Sequence, residues 1–386
     1  MKVGLTYNAN RADFRHLQPK NKNLTQGKII HFTGKPTSQE VSDVLRIANK
    51  VSQESITKLL NEIAGPHTEG RGVGQKGIEI AKEYIGNKFK EYGLVPVKEL
   101  GLDNYYQDFK IPQYPVSAMR RGDLIYGQLN RWGGNPDTIS ANVVGMMKGT
   151  EKPDEYIIIC GHYDHLGKDT RTGHIFPGAN DDASGVVGML ELARIMSEEG
   201  PPKKSVIFAA LTGEESGWLG ANNMSKELVK HGLAKQVEVM NIEMIAAVSG
   251  KKMDVWDQKM PEAQSMVQNI VKAGKELGTP VTVNNAVDPG SDSIRFSSYG
   301  IPAVCMAWDL KLSEIRKNHP TYHCAEDTPE NINKKIFYEA ARLAAASGYL
   351  IANDTTPRLK PIEQDPQQLQ QLELDRMQEI NSRQPL

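Results

Sequence analysis

Residues 156–165 read YIIICGHYDH, five apolar residues closed by a glycine and followed at once by His162, Tyr163, Asp164 and His165. So short and apolar a run fits a strand covered on both faces. Four more runs of this kind lie at Asn142–Met147, Ser205–Leu211, Val237–Ile242 and Pro302–Ala307. Segments with helical periodicity separate several of them, at Ala183–Ser197, Ala221–Lys230 and Pro261–Leu277, and a last one runs from Asn331 to Ile351. This alternation predicts an α/β fold: a central, mostly parallel mixed sheet with helices on both faces.

Upstream, Thr37 and Glu40 fit a capping box, and apolar positions at helical spacing continue through Leu45 and Ile56 to Ile63, where Gly65-Pro66 closes the segment. A second amphipathic helix is predicted from Gly77 to Tyr92, with Ile78, Ala81, Ile85 and Phe89 on one face and Gly93 as its stop. The stretch from Leu94 to Ser140 reads as loops and short strands. The expected organisation is an N-terminal arm over 1–50, a single α/β domain over 51–352 and a polar, Gln-rich tail over 353–386.

With 386 residues and 39% hydrophobic content, the chain can bury a sizeable core. Its 46 basic and 47 acidic residues nearly cancel, so charge gives no reason to expect nucleic acid or an anionic membrane as partner. No apolar run approaches the ~20 residues that span a bilayer, and the opening residues lack a signal-peptide core. The expectation is a cytosolic protein or a trimmed, mature one. Cys160, Cys305 and Cys324 allow at most one bridge and have no zinc-finger spacing.

Open α/β sheets bind ligands beyond the carboxyl ends of their strands, and here those ends are rich in His, Asp and Glu. After the 156–160 run come His162, Asp164 and His165; after SVIFAAL come Glu214 and Glu215; after VEVMNI comes Glu243. Between the first two lies PGANDDASG, residues 177–185, and farther on lies HPTYHCAEDT, residues 319–328. Each piece alone has an ordinary structural explanation, since Asp-Asp before a helix is a good N-terminal cap and Glu-Glu is a common solvated pair. Together they point to a metal site. Glu243 directly follows a buried strand, where a carboxylate is costly without a cation.

His162-x-Asp164, GANDDASG, Glu214-Glu215, a carboxylate at 243 and Tyr322-His323 resemble the co-catalytic di-zinc aminopeptidases, metallopeptidase family twenty-eight. The likeness extends upstream to Glu69-Gly70-Arg71 and covers roughly residues 52 to 352. It implies a zinc-aminopeptidase (phosphorylase/hydrolase-like) architecture and a peptide substrate. It assigns His162 and Glu243 to one zinc, Glu215 and His323 to the other, and Asp181 to both. Asp164 would accept the second ring N–H of His162, and the Asp181–Asp182 peptide would be cis. Glu214 would be the general base, and Tyr322 would either donate to the oxyanion or pack beside the site. An extracytoplasmic location follows from the same likeness. The sequence departs from the family at Glu243, usually Asp, and at Ser291-Asp292-Ser293, often Ser-Asp-His.

Rival readings remain open. A glutaminyl cyclase on the same fold would hold a single zinc, and a carboxypeptidase would need a cation for the terminal carboxylate, for which Arg295 is the nearest candidate. A vestigial binding module is disfavoured by the filled ligand positions. Gly72-Val73-Gly74-Gln75-Lys76-Gly77 satisfies G-x-G-x-x-G but follows a helical segment and a Gly-Pro break, so the dinucleotide context is missing. No G-x-S-x-G elbow exists. Trp256 and Trp308 are candidates for the substrate wall, or more simply core or rim aromatics. Oligomeric state is left open.

Overall fold

The structure is a computed structural model that describes residues 37–111 and 139–357, save 171, 289 and 312–314. Residues 1–36 of the expected arm, 358–386 of the expected tail and 112–138 of the loop-rich stretch lie outside the described residues.

The helices are α1 (Ser38–Lys50), α2 (Gln53–Ala64), α3 (Lys76–Glu91), α4 (Ser184–Glu199), α5 (Leu219–Lys230), α6 (Gln264–Leu277), α7 (Ser293–Ser298), α8 (Ile315–Asn318) and α9 (Lys334–Asn353). The strands are β1 (Tyr106–Lys110), β2 (Ile139–Met147), β3 (Lys152–His162), β4 (Gly167–Lys168), β5 (Ile175–Phe176), β6 (Lys204–Leu211), β7 (Val237–Glu243), β8 (Met253–Trp256), β9 (Val281–Asn284) and β10 (Ala303–Trp308). Eight strands form one sheet in the order β1-β2-β6-β3-β7-β10-β8-β9, and β4 and β5 make a separate short ribbon. The middle pairs β6–β3, β3–β7 and β7–β10 are parallel. Antiparallel pairings β1–β2, β2–β6 and β10–β8 bring in the flanks. The mixed, centrally parallel sheet expected from the alternation is present, and all five predicted strands fall in it.

Side chains on the middle strands are buried because helices cover both faces. On one face α4 and α9 pack against the strands that carry Ile157, Ile159, Val206, Phe208, Met240 and Ile242, and α6 and α1 pack in turn on α9. On the other, Ile158, Ile207 and Val239 meet Met224 and Leu228 of α5 and Phe296 of α7. Helix α4 is apolar nearly all round and lies buried along its length, as a helix sandwiched between sheet and further helices must be.

Helix α1 begins at the predicted box: the Glu40 N–H donates to Thr37 Oγ1 at 3.1 Å, and the Thr37 N–H to Glu40 Oε2 at 2.7 Å. Its residues Val44, Ile47 and Ala48 are buried against α9 and α6, so residues 38–50, grouped above with the N-terminal arm, belong to the packed core. The continuous helical segment expected through Ile63 is in fact two helices. Val51 turns to an extended conformation and Ser52 caps α2 by accepting the Ser55 N–H at 3.2 Å. Trp256 and Trp308 are buried, and Trp308 belongs to the main apolar cluster. Within the G-x-G-x-x-G run Gly77 serves packing, since a Cβ there would collide with the Thr68 carbonyl, and Gly74 serves a turn with φ of 78°. No helix among the described residues is long and apolar enough to cross a membrane.

Candidate metal centre

Because β6, β3, β7 and β10 run parallel, their carboxyl ends lie along one edge of the sheet. His162 ends β3, Glu243 ends β7, Glu214 and Glu215 follow β6, and the loop carrying Tyr322 and His323 follows β10. The 177–185 loop brings Asp181 to the middle of them. Asp181 Oδ1 lies 3.3 Å from His162 Nε2, which is itself 3.3 Å from Glu243 Oε1. Asp181 Oδ2 lies 3.2 Å from His323 Nε2, itself 3.2 Å from Glu215 Oε2. The two oxygens of one carboxylate therefore face two separate groups of donors. All five residues assigned to metal from the sequence converge here.

Four features hold Asp181 and its loop in place. Its N–H and that of Asn180 donate to the two carboxylate oxygens of Asp327, at 3.1 and 3.0 Å. The neighbouring Asp182, joined to Asp181 through a cis peptide, faces away from the donors. Its carboxylate accepts the N–H groups of Met244 (2.8 Å), Gly185 (3.0 Å) and His162 (3.2 Å), tying the ends of β7 and β3 to the head of α4. The Asn180 side chain accepts from Ala246 N–H at 2.8 Å and donates to His319 Nδ1, whose Nε2–H donates to the Trp308 carbonyl. Below the loop, the buried Arg71 guanidinium donates to the carbonyls of Ile63, Tyr163, Pro177 and Gly178. Burial brings its pKa down to about 10, against the pull of Asp164, Asp327 and Asp181.

Close packing makes Gly185 a sharp test of this scaffold. A Cβ there would fall inside contact distance of the Ile242 carbonyl and both Asp182 oxygens. Gly185→Ala is expected to lower stability by about 1–3 kcal/mol, the usual cost of overpacking. An unchanged denaturant midpoint would mean that the loop relaxes and Asp182 is not held as described.

The electrostatics call for a cation. Among the described residues, buried His162 Nε2, Glu215 Oε1 and Asp164 Oδ2 have no hydrogen-bond partner, a costly condition unless something else engages them. Burial would lower the imidazoles, yet the carboxylates outweigh it: Glu243 with Asp164 and Asp181 raises His162 well above its usual value, and Glu215 with Asp181 raises His323 to about 10. Burial, with Glu215 and Glu243 adding, raises the Glu214 carboxyl well above the ordinary range. In the His162 ring, Nδ1–H donates to the Asp164 carbonyl at 3.1 Å, leaving the Nε2 lone pair for the site. The Asp164 carboxylate was expected to take that proton, but its Oδ1 is farther off at 3.6 Å and accepts the Glu214 N–H at 3.1 Å. Tyr322 stacks on the His323 imidazole with ring centroids 3.8 Å apart.

Sequence reasoning assigned no role to Asp182, Asp327, Asn180 or His165. His165 stands three places after His162, and its Nδ1 lies 2.7 Å from Glu215 Oε1. Among the described residues, two groups of side chains can each offer mutually close donor atoms to a metal: His162, Asp181 and Glu243, and His165, Asp181 and Glu215.

Residues 142–347 match the model of Peptidase family M28. A probable zinc metalloprotease of Pyrenophora teres f. teres (strain 0-1) is 30% identical over 224 residues, 56% of this chain and 44% of that protein. Aminopeptidase YwaD of Bacillus subtilis (strain 168) is 26% identical over 212 residues, 54% of this chain and 44% of that protein. The match thus spans under half the length of these curated relatives. Among solved structures, BSAP, a zinc aminopeptidase from Bacillus subtilis, superposes with a TM-score of 0.61 at 16% identity, covering 81% of this chain and 98% of that one. Fimbriiglobus ruber glutaminyl cyclase gives 0.57 at 18% identity, covering 77% and 94%. Both share the fold.

Proposed function

The chain belongs to peptidase family M28, and from that premise we propose that it is a metallo-aminopeptidase holding two zinc ions, with Glu214 as general base. The observation that carries this reading is the division of Asp181, whose Oδ1 faces His162 and whose Oδ2 faces His323. A carboxylate shared in this way suits two ions ~3.5–4 Å apart. His162, Asp181 and Glu243 would hold one ion, and Asp181, Glu215 and His323 the other. These are nitrogen and oxygen donors of the kind zinc accepts. The orphaned atoms His162 Nε2 and Glu215 Oε1 would gain a partner on binding. Such a pair supplies Lewis acidity, polarising the scissile carbonyl and acidifying the attacking water.

The remaining chemistry falls to neighbouring side chains. Glu214 precedes a ligand without being one, so its carboxylate is available to take a proton from water and return it to the leaving amine. Asp164 fixes the Glu214 main chain through the 3.1 Å bond to its N–H. Burial and the carboxylates of Asp181 and Glu215 raise the Tyr322 phenol well above its usual value, so it stays protonated and can donate to the developing oxyanion. The carboxypeptidase alternative finds little support at Arg295, whose guanidinium lies over the Trp218 ring, 4.8 Å from its centroid.

Elemental analysis is expected to give two zinc ions per chain. Release of free amino acid from a panel of aminoacyl p-nitroanilides should stop on chelation and return with zinc. A fully active protein with one ion, or one that cyclises N-terminal glutamine and releases no amino acid, would replace this reading with the single-zinc cyclase.

A further inference from the structure

We propose that His165 is a sixth metal-binding residue, its Nδ1 joining Asp181, Glu215 and His323 around the second ion; this rests on the two-metal reading above. The side chain is fully buried, and neither ring nitrogen has a hydrogen-bond partner among the described residues. Its Nδ1 lies 2.7 Å from Glu215 Oε1 and 3.9 Å from Asp181 Oδ2. Glu215 Oε1 is likewise buried without a hydrogen-bond partner, so two orphaned atoms face one another at close range without the alignment of a hydrogen bond. Lone pairs that converge in this way are arranged for a common cation. The donor atoms of His165, Asp181 and Glu215 all lie within 4.8 Å of one another.

The surroundings fix the ring. The His165 main-chain N–H donates to the Arg71 carbonyl at 3.3 Å, and the imidazole lies against Gly178, where a Cβ would overlap it. Across the site, the rings of His165 and His323 meet edge to face with centroids 5.6 Å apart, so both imidazoles address the same two carboxylates.

The consequence is an asymmetric pair. The second ion would have four protein donors, Asp181, Glu215, His165 and His323, and the first only three, His162, Asp181 and Glu243. Zinc with four protein donors is the closed, firmly held arrangement, whereas three donors leave a position open to water or substrate. The second ion is therefore the anchor and the first the exchangeable, open one.

X-ray absorption on the two-zinc wild-type protein tests this without a variant: three imidazoles shared between two ions are expected, against two if His165 is not a donor. In zinc titrations against a chromophoric chelator, His165→Gln should weaken the tighter of two binding steps by at least about tenfold and leave the other unchanged. Two imidazoles in the wild type, or two unaltered binding steps in the variant, overturns the proposal and leaves the aminopeptidase reading intact. A wild type that takes up no zinc overturns both. One that binds two ions with three imidazoles yet releases no amino acid overturns the activity alone.

Discussion

Replacing Glu214 by Gln is expected to lower kcat by at least about 10²-fold while both zinc ions stay bound. Gln keeps the length of the side chain and can still accept a hydrogen bond, but it cannot take a proton from water at neutral pH. The main-chain anchor survives, because the bond from the residue 214 N–H to Asp164 Oδ1 does not involve the side chain. Nor would a buried ion pair be broken, since the donors proposed for the two ions lie on other residues. The loss should therefore appear in kcat with little change in KM or metal content. A zinc-replete Glu214→Gln protein turning over near the normal rate would remove Glu214 from the role proposed for it.

How far the sequence reaches can be judged from particular elements. The strands of the sheet centre were legible because burial on both faces leaves them uniformly apolar, as in Ile157–Ile159 and Val206–Ala210. The flanking β8 and β9 were missed. Each has only four residues; Asp254 interrupts the apolar run of β8, and the Val-Thr-Val-Asn alternation of β9 is too short to stand out from a loop. The break between α1 and α2 was missed although Ser52, a good cap, was in plain view; helical periodicity can persist across a two-residue interruption that only the backbone conformation reveals.

At the site, the candidate donors were legible because strand ends concentrate His, Asp and Glu and these five match the spacing that the resemblance supplies. Their supports were not. Asp327 reaches Asp181 across 146 residues and Asn180 reaches Ala246 across 66, contacts that no local pattern encodes. His165 is the instructive case. It stood within the very stretch that opened the reading, yet the likeness covers only His-x-Asp, and a third side chain acquires meaning only when it is found facing Glu215.

The departure at Glu243 supplies the second large effect. Glu243 closes β7, opposite Ala307 of β10 in the parallel ladder, and its side chain is 4% exposed. Its Oε1 lies 3.3 Å from His162 Nε2, and its Oε2 accepts from Asn241 Nδ2 at 3.4 Å. In the proposed arrangement, removing it as Glu243→Ala would leave the first ion with only His162 and a share of Asp181, while the second would keep all of its donors. Zinc content is expected to fall from two ions to one, with activity lost alongside. The strand should persist, since its hydrogen bonds to β3 and β10 are main-chain. Glu243→Asp draws the carboxylate back by about 1.5 Å, one carbon–carbon bond. It restores the residue usual in the family, so it should retain substantial binding of both ions where the end of β7 can follow. Zinc per chain in the wild type and the two variants decides the matter. Two ions in Glu243→Ala would mean that the carboxylate is a neighbour of the site and that the first ion finds its third donor elsewhere.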